Sequence, residues 1–72
     1  MKLEDTARKG VIKALEMQDI SAYRASLRGG FNQNQVSRYI RGDQDMTIGN
    51  YERLCQQGLQ LPVGVVLELG RS

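Results

Sequence analysis

The stretch AYRASLRGGFNQNQVSRYIR, residues 22–41, decides how the 72-residue chain is read. Two short helical segments flank a glycine pair, and their spacing meets four steric demands of helices crossing at a tight turn. Ser26 is small where the second helix has to cross the first. Gly30, four residues later, tolerates the left-handed backbone that such a turn requires. Phe31 follows as an apolar seal, and Val36 lies six positions after the glycine, where the second helix must face inward. Tyr39 and Ile40 continue that inward face at helical spacing.

Working outward, periodicity predicts helices on both sides. Leu3, Ala7, Val11, Ala14 and Leu15 form the apolar stripe of a first helix over residues 4–18. Asp5, Arg8, Lys9, Lys13 and Glu16 lie on its other faces. Gly10 in its middle costs about 1 kcal/mol relative to alanine. Ser21 is placed to cap a second helix over 22–28, which Gly29-Gly30 stops. Asn32 is placed to cap a third helix running to Arg41, with Gly42 just past its end. Thr47 is placed to cap a fourth over about 48–57, with Ile48, Tyr51, Leu54 and Cys55 as its apolar stripe and Gly58 as its end. Pro62 suits the first turn of a fifth helix over about 62–69. That last segment, PVGVVLEL, is rich in β-branched residues and also fits a strand. The expected fold is all-α: one domain, a bundle of about five short helices containing a helix-turn-helix.

Composition excludes several classes. With one cysteine (Cys55) and no histidine, the chain supports neither a disulfide nor a four-ligand zinc site. No metal, cofactor or small-molecule ligand is expected. A P-loop, a zinc spacing and a nucleophile beside a base are all missing from the sequence, so an enzyme is not expected. No apolar run approaches about 18 residues, and MKLEDTARKG carries no signal-peptide core, which predicts a cytoplasmic protein without a membrane partner. A domain this small buries only about 60% of its unfolded surface, so self-association is the expected supplement to its stability.

The net charge of +2 is unevenly spread. Residues 20–42 hold Arg24, Arg28, Arg38 and Arg41 and no acid, giving +4, and the remainder carries −2. A basic centre in a slightly acidic chain suits a polyanionic partner. If Val36 and Tyr39 face inward, Gln33, Asn34, Ser37 and Arg38 face outward, with Arg41 one turn further. Amides pair bidentately with adenine, arginine with guanine, and serine with either, so these four are the candidate base contacts. Asn32 at the helix start is a candidate phosphate contact, and Arg41 joins it on the backbone side.

The segments SRYIRGD (37–43) and MTIGNYERLCQQGL (46–59) resemble the helix-turn-helix domains of phage Cro and repressor proteins. NQVSRYIRGD (34–43) is also similar to the corresponding part of the phage CII activators. The resemblance covers residues 20–61. It implies a lambda-repressor-like fold, base contacts by Gln33, Asn34, Ser37 and Arg38, and backbone contacts by Tyr23 or Arg24. The chain departs from the family at Gly29, where an apolar residue is usual, and at Ser26, where alanine is usual. Leu27 is the candidate to fill the space that Gly29 leaves.

The expected function is a sequence-specific regulator of transcription, a Cro-like repressor binding a pseudo-palindromic double-stranded DNA operator as a homodimer. Val63, Val65, Val66, Leu67 and Leu69, more apolar surface than so small a domain can bury, are the candidate dimer contact. Their competing role is closure of the domain's own core. The competing function is a protein-interaction module of the same fold, whose binding surface would carry exposed aromatics or methionines rather than amides and arginines. An antitoxin or restriction-controller DNA-binding protein fits the same residues.

Overall fold

A computed structural model describes residues 2–71, and they form an all-helical bundle. Helix α1 spans Leu3–Gln18, α2 Ala22–Arg28, α3 Gln35–Ile40, α4 Ile48–Arg53 and α5 Val63–Arg71. A π-helical turn, Leu54–Gly58, continues α4. The segment at 63–71 is a helix and no strand occurs among the described residues, which settles the helix-or-strand ambiguity of PVGVVLEL. Among the same residues no helix is long and apolar enough to cross a membrane.

The caps follow from the side chains that the sequence supplies. The Ser21 hydroxyl accepts the Arg24 N–H at 3.1 Å, and the Thr47 hydroxyl accepts the Asn50 N–H at 3.2 Å. Gly30 and Gly42 take positive φ, 75° and 85°. Each closes its helix with the paired bonds of a Schellman motif: Gly30 N–H to Leu27 O with Phe31 N–H to Ser26 O, and Gly42 N–H to Tyr39 O with Asp43 N–H to Arg38 O. Asp19 ends α1 the same way without a glycine, at φ 54°.

Helices α1 and α5 pack backbone against backbone. A Cβ on Gly10 would fall 2.0 Å from the Val66 carbonyl oxygen, and one on Gly70 would meet the Thr6 carbonyl oxygen as closely. Thr6 and Gly10 on α1 face Val66 and Gly70 on α5, each pair one turn apart, so the two glycines interlock. Gly10 therefore admits a backbone approach that any side chain would block, which accounts for a residue of poor helix propensity in the middle of α1. Val11, Ala14, Leu15, Ala25, Val36, Leu54, Cys55, Leu59 and Val66 fill the core between the helices. Burial pushes the Cys55 thiol up to about 11 and raises the Tyr51 phenol as well, so both stay protonated.

Several expectations shift. Leu3 and Ile48, assigned to apolar stripes, are exposed, Ile48 at 87%. They sit on the first turns of α1 and α4, beyond the edge of the core. Arg8 is no solvated side chain. Its Nε donates to the Tyr39 carbonyl at 2.8 Å, its guanidinium lies 5.1 Å from the Tyr39 ring centre, and Asp45 and Asp5 lie within 3.4 and 3.7 Å. The Tyr51 hydroxyl donates to the Ala7 carbonyl at 3.0 Å, and the Tyr39 and Tyr51 rings meet edge to face. Together these contacts bind α1 to the ends of α3 and α4.

Gly10→Ala is expected to lower the unfolding free energy by about 1–3 kcal/mol, because the methyl group has no room to form. Gly49→Ala, where a Cβ meets open space, is expected to raise it by about 0.4–1 kcal/mol. Urea unfolding of the two variants checks the opposite signs.

Candidate nucleic-acid interface

The joint between α2 and α3 is built around Ser26. Its side chain is fully buried, and its hydroxyl donates to the Ala22 carbonyl at 2.9 Å. The same oxygen accepts the Val36 N–H at 3.3 Å. Val36 is the second residue of α3, so this N–H is one of the donors that no α3 carbonyl can satisfy. Asn34, the residue before α3, makes no side-chain cap bond. A serine on the preceding helix therefore does the work of an N-cap. The alanine usual in the resembled family could not.

The turn is longer than expected. Residues 29–34 separate the two helices, and α3 begins at Gln35 rather than near Asn32. The cause is local: the Asn32 side chain accepts the Asn34 N–H at 3.1 Å, and the Gln35 N–H bonds to the Asn32 carbonyl. Asn32 thus closes a turn before the helix instead of capping it, consistent with asparagine's competition for backbone donors. Gln33 and Asn34 consequently lie on this turn, at the approach to α3.

Gly29 answers the question its sequence position raises. It adopts a right-handed conformation at φ −83°, so conformational freedom is not its purpose. A Cβ there would come within 2.6 Å of the Phe31 ring. The ring occupies the space that an apolar side chain at 29 would fill. Leu27, proposed for that role, is instead 54% exposed and does not fill it.

The candidate base contacts run from the turn into α3. Gln33, Asn34 and Arg38 are exposed and Ser37 is half-buried, while Val36 and Tyr39 hold the inner face of α3. Among the backbone candidates, Tyr23, Arg24, Asn32 and Arg41 are all exposed. Arg41 lies 3.4 Å from Asp43, an exposed pair of small energetic weight that leaves Arg41 able to exchange partners. Among the described residues, Arg24, Arg28, Arg38 and Arg53 have no carboxylate within 4.0 Å. Half-buried Gln35, the first residue of α3, was not singled out in the sequence, since its prominence depends on where the helix begins.

The five dimer candidates do not form one free surface. Val66 is completely buried against α1 and unavailable to a partner. Val63, Leu67 and Leu69 are half-buried against the core, and Val65 is 44% exposed. The chain's own core thus takes most of this segment. Val63 and Leu67 also line an apolar groove of about 350 Å³ with Leu3, Met46 and Ile48.

Ser26→Ala leaves the buried Val36 N–H without an acceptor, at an expected cost of about 1–3 kcal/mol. Denaturant unfolding should report the loss, and amide exchange at Val36 should accelerate more than exchange at Val11. Equal protection at Val36 in the variant and the parent would contradict the capping role. No family model, curated protein or solved structure matches the chain, so the functional reading rests on these residues and their geometry.

Proposed function

We propose that the protein is a sequence-specific double-stranded-DNA-binding regulator of transcription, a Cro-like repressor acting as a homodimer in the cytoplasm, with α3 as its reading helix. The supporting observation is the run of Gln33, Asn34, Ser37 and Arg38. The amides stand on the turn before α3 and the hydroxyl and guanidinium on α3 itself, and among the described residues Arg24, Arg28, Arg38 and Arg53 have no carboxylate within 4.0 Å. Arg38 suits guanine O6 and N7, and the amides suit adenine N6 and N7; each good bidentate pair discriminates by about 1–3 kcal/mol. Tyr23, Arg24, Asn32 and Arg41 flank that run as contacts to the sugar-phosphate backbone.

Dimeric readers place their helices about 34 Å apart, one turn of DNA. The domain measures 29 × 23 × 20 Å, so a spacing of about 34 Å requires the two α3 helices to lie on the sides away from the contact between copies. Exposed Val65, with the half-buried Val63, Leu67 and Leu69, supplies the α5 surface for such a dimer.

One observation favours a protein partner instead. Tyr23 and Leu27, one turn apart on α2, are 53% and 54% exposed. A module that bound protein through this strip would lose its partner on Tyr23→Ala or Leu27→Ala and would select no DNA.

Selection of bound sites from random duplex DNA at two salt concentrations separates the readings. The expected result is a pseudo-palindromic consensus, with Gln33→Ala and Arg38→Ala each relaxing the sequence requirement at defined positions. Salt-dependent binding without any consensus would reduce the protein to a non-specific DNA binder. No binding at all would leave the protein-partner reading.

A further inference from the structure

Arg53 ends α4, outside the reading helix, yet its guanidinium carbon lies 4.3 Å from the centre of the Phe31 ring. Phe31 is buried at the turn between α2 and α3, with Gly29 against its ring edge. The ring is therefore fixed by packing, and it offers Arg53 a flat, immobile platform one residue before Asn32.

A guanidinium held over a ring face keeps N–H donors for an oxygen partner, since the ring takes none of them in an ordinary hydrogen bond. Those donors have no carboxylate within 4.0 Å among the described residues. Among the described residues, Arg24, Arg28 and Arg38 are also without one. A solvated arginine kept only for solubility has no need of a buried aromatic platform. An arginine held in one place before its partner arrives loses less side-chain freedom on binding. A planar fork of donors is matched in shape and charge by the oxygens of a phosphodiester.

We infer that Arg53, held on the Phe31 ring, binds a backbone phosphate of the DNA whose groove receives α3. This inference rests on the proposed DNA-reading function and adds to it a contact from α4. The contact neutralises one phosphate beside the approach to α3 and carries no base preference of its own.

The test measures affinity for the selected site and for a scrambled duplex, between 50 and 200 mM salt, with the intact chain. Arg53→Ala should weaken both duplexes about tenfold alike and reduce the slope of log affinity against log salt by about 0.9, the value for one phosphate. The selected consensus should not change. Arg53→Lys should keep the slope and lose part of the affinity, since an ammonium keeps the charge without the fork. Thermal unfolding of each variant verifies that the exposed substitution leaves the fold intact. An unchanged slope and affinity in Arg53→Ala, with wild-type protein still selecting its site, overturns the Arg53 contact and spares the DNA reading. A consensus altered at defined bases also overturns it, making Arg53 a base reader. Wild-type protein with no salt-dependent DNA binding overturns both.

Discussion

A single buried hydroxyl joins the two helices on which the proposed function depends. Ser26 gives its proton to the Ala22 carbonyl and receives the Val36 N–H on the same oxygen. That arrangement satisfies a donor in the first turn of α3 and ties that turn to α2. A helix of six residues is far too short to persist alone, so α3 exists because its surroundings hold it. Ser26 satisfies its first turn, Val36 and Tyr39 are buried beneath it, and Arg8 grips the Tyr39 carbonyl at its far end. Its outward side chains are therefore presented from a rigid base, which is what a reading surface requires.

The rest of the molecule makes that base possible at small size. The interlocked glycines of α1 and α5 bring the two backbones into contact, adding to the side chains that hold the longest helix. Gln18 at the end of α1 donates to the Leu59 carbonyl at 2.7 Å, fixing the segment that leads to α5. The π-helical turn at Leu54–Gly58 brings Gly58 against the Ala25 carbonyl, so α4 continues directly into the back of α2. Chain that looks surplus to a reading unit is thus its support, and Val66, a candidate for contact between copies, is consumed within it.

The fold was largely legible because its signals are local. Helical spacing, the serine and threonine caps and the glycine stops each act within a few residues, and α2 and the caps at Ser21 and Thr47 followed from them. What was not legible depends on contacts between distant residues. Gly10 reads as a weak point until Val66 is brought against it, 56 positions away in the sequence. Arg8 reads as a surface charge until Tyr39 and Asp45 meet it. Gly29 reads as a poor fit until the Phe31 ring folds back over it. In the candidate site, the outward side of Arg38 followed from the inward Val36 and Tyr39, while Gln33 and Asn34 are exposed on the turn rather than on the helix and Ser37 is half-buried. The late start of α3 did not follow, because Asn32 spends its side chain on a turn.

The central claim is that the outer edge of α3 and the approach to it meet DNA bases. Amide chemical shifts followed by NMR, as a selected duplex is added to the ¹⁵N-labelled protein, test it most directly. The account predicts that the largest changes fall on residues 32–38 and on the guanidinium resonances of Arg38 and Arg53, with α1 and α5 little affected. Changes concentrated on α5 or along Tyr23 and Leu27, with residues 33–38 unmoved, would contradict it.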